Sequence, residues 1–427
     1  MKNLTWQNPE QLFVAQVLIN KVKSKCCGIK VFYIYPIIFI GLPLSTRILY
    51  ALGGVFLFIC QRFIDKRLFS VWWGLVPVAL CSVGSGILNL TFDFTFVFYA
   101  FSQIAIFFAS HAMVYVFGRK KKNFDLSDFL KCFVYVVGIQ SLLALLMFLF
   151  PALHDFMYSI IRLNELEDEM VDSTYGMRLQ GWGSNFFGAG IINGLALILM
   201  TYLFLNKRVR RLWCFTILYV FILVIGILIA RTTLIGFLFS LFYLLAWKWK
   251  NPYWIKRKMR WMLLVCLILL SGVSFIFLYL DAKVVMWAFE MFINYGSDAG
   301  LSSASTDRLK EMYVYPTSLK TYLIGDGLFN LKDHYYMETD VGYLRLLFYG
   351  GIPVALCFFI YPYMIIKKTL ATYSSPLFKR LLFIIFLYVL VLNFKGLADV
   401  NLFLILLYGL LFHWVKNGQT VESDTYE

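Results

Sequence analysis

DAKVVMWAFEMFINYGSDAGLSSASTDRLKEMYVYPTSLKTYLIGDGLFNLKDHYYMETD, residues 281–340, is the stretch that breaks the pattern of this chain. It carries Arg308, Lys310, Glu311, Asp326, His334, Glu338 and Asp340, whereas the sequence on either side is compatible with hydrocarbon. The 427 residues are 61% hydrophobic and 15% charged, with a mean hydropathy of +0.74. A soluble domain carries about 25% charged residues. This chain has too little polar surface to cover a soluble globule, so its fold is built in a membrane around one large polar loop.

Apolar runs near 18 residues are the length that crosses a bilayer as a helix. Eleven or twelve are present, at about 31–46, 47–62, 70–90, 94–118, 129–150, 182–205, 211–230, 232–249, 261–280, 341–366, 380–394 and 398–415. The expected fold is an all-α polytopic membrane protein of about 12 transmembrane helices, with the large loop between helices 9 and 10. Residues 1–30 read as a cytoplasmic amphipathic lead-in, 31–415 as the transmembrane domain and 416–427 as a cytoplasmic tail. The apolar run at 12–19 is too short to span and has no small-residue cleavage site, so no removable signal peptide is expected. None of the eight cysteines falls in the long loop, and they read as small apolar residues.

The net charge of +15 is a matter of topology. With the N-terminus inside and twelve spans, 28 of the 39 lysines and arginines fall on inner segments, including the runs at 119–122 and 248–260. That bias orients a membrane protein with basic loops in the cytoplasm, and it argues against a nucleic-acid partner. The same topology puts 17 of 24 acidic residues outside, among them Glu165, Glu167, Asp168, Glu169 and Asp172. The two long outer loops are 151–181 and 281–340. The eleven outer cations are not required by orientation and so are the informative ones.

The proposed spans hold almost no charge, which argues against an ion-coupled carrier, since carriers need ionisable groups or broken helices near mid-membrane. His111, inside the fourth span, reads as a hydrogen-bonded packing residue. Arg178, Arg231, Arg308 and Arg345 stand at the outer ends of spans or in the outer loops. Arginine at the edge of hydrocarbon is costly unless paired, and its planar fork binds phosphate bidentately without losing its charge. The short helix expected at STDRLKEMYV would take Ser305 or Thr306 as its cap. Glycines 188, 190 and 194 suit close helix packing. His334, Glu338 and Asp340 are the residues available to take a proton from a sugar hydroxyl. No zinc spacing, Walker loop or nucleophile elbow is present, and no metal or cofactor is expected.

Four segments together resemble the Wzy-type O-antigen and capsular polysaccharide polymerases, in the broader family that includes the O-antigen ligases. RLQGWGSNFFGAGIING (178–194) matches the Arg-x15-Gly pattern of such polymerases. ARTTLIGFLFSLFYLL (230–245) is similar to the family's "SRT/SRG" helix start. TDRL with the later LIGDGLFN (323–330) is similar to its large loop and terminal "GxG". ETDVGYLRLLFYGGIPVAL (338–356) is similar to its "DSGYxRxxxxxG". The resemblance covers about 170–360. Gly325 falls one position too late for a second Arg-x15-Gly from Arg308, and His334 stands in DHYYME rather than the ligase's HN-type motif.

The resemblance implies a metal-independent glycosyltransferase of the bacterial cytoplasmic membrane that joins undecaprenyl-pyrophosphate-linked oligosaccharides on the outer face. It implies pyrophosphate binding by Arg178, Arg231, Arg308 and Arg345, and proton handling or acceptor orientation by His334, Glu338 or Asp340. The partners it implies are the lipid-linked glycans, the lipid bilayer, and flippase and chain-length regulator proteins. The alternatives are an O-antigen ligase acting on lipid A core and, in another class, a lipid-linked oligosaccharide flippase.

Overall fold

The computed structural model describes residues 46–61, 68–119, 126–160, 177–183, 186–209, 211–246, 252–279, 282–296, 303–331 and 334–416. The first expected span, the segment 1–30, the tail beyond residue 416 and the acidic cluster at 165–172 lie outside them. Every other expected span coincides with a helix. These are α1 (Thr46–Gln61), a 3-10 turn (Leu68–Gly74) running into α2 (Leu75–Leu88), α3 (Thr95–Arg119) and α4 (Leu126–Leu149). After the short α5 (Pro151–Ser159) come α6 (Phe186–Leu205), α7 (Leu212–Ile229), α8 (Thr233–Ala246) and α9 (Pro252–Tyr279). Last are α13 (Gly342–Thr372), α14 (Pro376–Leu392) and α15 (Asn401–Lys416). Six helices of the described residues are long and apolar enough to cross a membrane, and α1, α8 and α15 are shorter apolar helices. The chain is accordingly an all-α protein with the helices of a membrane-embedded one.

α6 is the axis of one group. It is buried along its length and is packed by α4, α7, α8 and α14. Gly194 and Gly236 face each other where α6 meets α8; a Cβ on Gly236 would collide with the Gly194 backbone, and one on Gly194 with the Tyr388 hydroxyl of α14. In lipid, helices associate through such close van der Waals contact rather than through water exclusion. α3 packs α1, α2 and α15 in a second group, and α13 lies against α2 and α15. Phe403 of α15 meets Phe129 and Phe133 of α4, joining the two groups.

The described residues of 281–340 form a folded cap rather than a polar run. α10 (Ala282–Gly296) is amphipathic and sets Val284 and Val285 against Ile225, Leu228 and Ile229 of α7. α11 (Ala304–Glu311) is capped by Ser303, whose hydroxyl accepts from Thr306 N, so the cap lies two residues before the expected Ser305. α12 (Leu319–Leu323) follows, then an antiparallel pair of β1 (Asn330–Leu331) and β2 (His334–Tyr335).

The cap is seated on a break in α13. Gly350 and Gly351 leave helical geometry, Gly351 with φ 68° and ψ −167°, a region open to glycine almost alone. The break exposes two helix carbonyls, and the cap uses them. Asp326 N donates to Phe348 O (2.6 Å) and Gly327 N to Tyr349 O (3.0 Å). Gly325, also at positive φ, lets its backbone lie directly on Tyr349 and Gly350. The expected continuous helix at 341–366 is therefore two helices with a docking point between them.

Candidate functional site

Several helix ends meet under the cap: the start of α6, the α7–α8 corner, the α14–α15 connector and the start of α13. Arg178 precedes α6 in a strap held on both sides. Leu179 N donates to Leu228 O at the end of α7 (3.1 Å). From α5, His154 Nε2 meets Gln180 Oε1 at 2.8 Å and the Tyr158 hydroxyl donates to Gly181 O at 3.1 Å, while Trp182 Nε1 donates back to Met157 O at 2.9 Å.

So fixed, the Arg178 guanidinium lies 3.8 Å over the Phe186 ring and 5.6 Å from Trp287 of α10. Among the described residues it has no carboxylate and no hydrogen-bond acceptor, and its Nε is buried without a partner. Burial, reinforced by the neighbouring Arg231, lowers its pKa to about 10. Among the described residues this half-buried arginine therefore stands beside another cation without a counter-ion, an arrangement that favours an anion.

Arg231 occupies the three-residue corner between α7 and α8, flanked by Ala230 and Thr232. Its Nη2 donates to Glu290 Oε2 at 2.7 Å and to the Trp287 carbonyl, and its Nη1 to Ser305 Oγ at 3.2 Å. Its guanidinium stands 4.7 Å from the Trp287 ring, so Trp287 serves both arginines. Ser305 brings the first turn of α11 to the site. Arg308, one turn further and on the same face, is exposed and makes no ion pair among the described residues.

Lys395 completes the cluster. It sits in the connector between α14 and α15, which Asn393 closes by bonding both Ala398 O (2.9 Å) and Ala398 N (3.2 Å). Its Nζ donates to Thr232 Oγ1, 3.1 Å away, beside Arg231. Burial lowers its pKa, Arg231 and Arg178 lower it further, and Asp340 opposes them.

Asp340 closes the other side. Burial raises its pKa, and Arg345 and Lys395 pull it back. Arg345 Nη1 stands 3.8 Å from Asp340 Oδ1, and its Nη2 donates to Asn330 Oδ1 at 3.1 Å. The Arg345 guanidinium is sandwiched between Phe329 (4.0 Å) and Tyr335 (3.8 Å). Among the described residues, four cations of this centre, Arg178, Arg231, Lys395 and Arg345, face two carboxylates, Glu290 and Asp340, a net charge of +2.

Three of the four expected arginines are thus gathered with Asp340, and the fourth borders them. His334 and Glu338 are exposed and make no ion pair among the described residues, His334 in β2 beside the Tyr335 that stacks on Arg345 and Glu338 at a positive φ of 52°. His111, expected to be a hydrogen-bonded packing residue, has its Nε2 buried with no hydrogen-bond partner among the described residues. Lys395, Trp287 and Glu290 were not anticipated. Lys395 had a signal, since it is one of the eleven cations that orientation leaves unexplained. No family model matches the chain, and no curated protein is similar to it in sequence.

Proposed function

We propose that this chain is a membrane glycosyltransferase, a polysaccharide polymerase that transfers a glycan from a lipid pyrophosphate to a sugar hydroxyl on a second lipid-linked repeat. The observation that carries the reading is Arg178: a guanidinium set against Phe186 and Trp287, next to Arg231 and Lys395, with no anion of its own among the described residues. A pyrophosphate diester, each of whose phosphates is ionised, suits a centre with an excess of two positive charges. Arginine forks satisfy its oxygens bidentately, and fixed cations stabilise the charge that grows as the leaving group departs.

In the reaction, the acceptor oxygen forms a bond to the anomeric carbon of the donor glycan. The bond from that carbon to the pyrophosphate oxygen breaks, and the leaving lipid pyrophosphate keeps the electron pair. Asp340 takes the acceptor proton; of the three carboxylate and imidazole candidates it is the one that pairs with Arg345 and feels the charge of Lys395. Arg345 and Lys395 hold Asp340 ionised against the burial that favours its protonated form. No step requires a redox partner. The cap end of the bundle faces outward, in keeping with the inner placement of the basic loops, and both termini are cytoplasmic.

The test is Arg178→Ala in cells and in vitro. The expected outcome is accumulation of single lipid-linked repeats and loss of polymer at normal protein levels. Wild-type polymer from this variant would overturn the reading.

A further inference from the structure

The turn between α2 and α3 displays apolar side chains at a conformational cost. Leu90 and Phe92 both have φ of 54°, yet they are 76% and 63% exposed. The left-handed region is unfavourable for an L-residue, whose Cβ crowds the following carbonyl oxygen. The residues between and beside them hold the turn in place. Asn89 Nδ2 donates to Gly325 O (3.1 Å), Thr91 Oγ1 to Gly327 O (2.7 Å), and Asp93 Oδ2 accepts from Phe329 N (2.9 Å). The polar members of the turn face the cap, and the apolar members face away from the protein.

α12 repeats the pattern. Leu319 and Leu323, four apart and so on one helix face, are 73% and 55% exposed. Gly351 lets α12 rest on α13 at its break, directly before an exposed apolar row of Ile352, Leu356 and Ile360. The turn is likewise continuous with exposed Leu88 on α2 and exposed Phe98 and Phe101 on α3. The helices Leu68–Leu88 and Thr95–Tyr115 that flank the turn, and α13 itself, are each long and apolar enough to cross a membrane.

We propose that the 89–94 turn and α12 form one interfacial anchor, with Leu90, Phe92, Leu319 and Leu323 set into the boundary between lipid headgroups and acyl chains. The occupant is lipid because the exposed residues continue the apolar outer faces of the flanking spans, while the intervening Asn89, Thr91 and Asp93 are committed to the cap. Interfacial elements insert their apolar faces about 5–10 Å below the surface. The same turn holds Gly325, Gly327 and Phe329, and Phe329 stacks on Arg345, so the anchor sets the height of the cationic centre above the bilayer.

The anchor is tested without reference to glycan chemistry. The full chain, with its eight cysteines replaced by alanine or serine, is labelled with a nitroxide at Leu90→Cys, Leu319→Cys or Leu323→Cys in phosphatidylcholine nanodiscs. Lys310→Cys, on the exposed face of α11, is the aqueous control. Labels at 90, 319 and 323 are expected to collide with oxygen several-fold more often than with a water-soluble nickel chelate, and the control to show the reverse. Nickel access at 90 and 319 equal to that at 310 would overturn the anchor. A second readout uses Leu319→Asp with Leu323→Asp, which touches only exposed positions. This variant is expected to unfold in detergent at the wild-type temperature yet lose protease resistance at 319–331 in nanodiscs. Wild-type resistance there would equally refute it.

Discussion

Replacing Arg178 by alanine separates a binding residue from a structural one. Arg178 accepts no ion pair and makes no hydrogen bond among the described residues, and its charge is opposed by Arg231. Its removal forfeits a cation–π contact with Phe186 worth about 0.5–1 kcal/mol. It also relieves a like-charge repulsion. These effects oppose each other, so the melting temperature in detergent is expected to stay within a degree or two of wild type. Arg231→Ala is the contrast. It removes the ion pair to Glu290 and the hydrogen bonds to Ser305 Oγ and the Trp287 carbonyl, a loss of about 1–3 kcal/mol, and it is expected to melt several degrees lower.

Anion affinity should rank the two variants differently. Losing one charge-assisted contact to a phosphate costs about 1.5–3 kcal/mol, which is roughly 10- to 150-fold in affinity. The assay is the rise in melting temperature with added pyrophosphate, which follows mass action on the folded state. Wild type should be stabilised in a dose-dependent way, Arg178→Ala only at concentrations higher by that factor, and Arg178→Lys in between, since lysine keeps the charge without the fork. An Arg178→Ala protein that melts as low as Arg231→Ala, or that responds to pyrophosphate like wild type, would refute the division of roles.

Three further outcomes follow from the same geometry. Pyrophosphate affinity should fall as pH rises toward 10.5, because Lys395 binds in its charged form and burial with the neighbouring Arg231 lowers its pKa from the ordinary lysine value; a flat affinity between pH 8 and pH 10.5 would contradict this. Lys395→Ala removes one cation from the anion site and one from Asp340, so affinity should drop about tenfold and the rising limb of the pH–rate profile should move to higher pH, as a carboxylate that loses a neighbouring cation holds its proton longer. Gly351→Ala forces a side chain into positive φ and against the backbone of Tyr322 and Leu323; a loss of about 1–3 kcal/mol and faster proteolysis at 319–331 are expected, and unchanged digestion would show that the break does not hold the cap.

The helices were legible because a membrane leaves the backbone few options. With no water to satisfy N–H and C=O groups, an apolar run of sufficient length must close its own hydrogen bonds as a helix, and α4 (Leu126–Leu149) lies within a few residues of the run read at 129–150. The cap was less legible. α10 carries its apolar residues at 284 and 285 toward α7, but Glu290 and the acids around it make the whole window read as polar. The break at Gly350 and Gly351 was hidden because a pair of glycines inside an apolar run is common in membrane helices; only the matching glycines at 325 and 327 reveal what it receives. Lys395 was hidden differently. Its connector is a few residues long, and nothing in its local sequence separates it from an ordinary interfacial lysine. It becomes a site residue only because α14 ends, and α15 begins, where the α7–α8 corner presents Thr232. That juxtaposition follows from α8 packing against α6 and α14, and hence from contacts such as Gly194 on Gly236. The cations of this centre are therefore readable one by one from the charge count, but their meeting depends on helix packing that no single motif records.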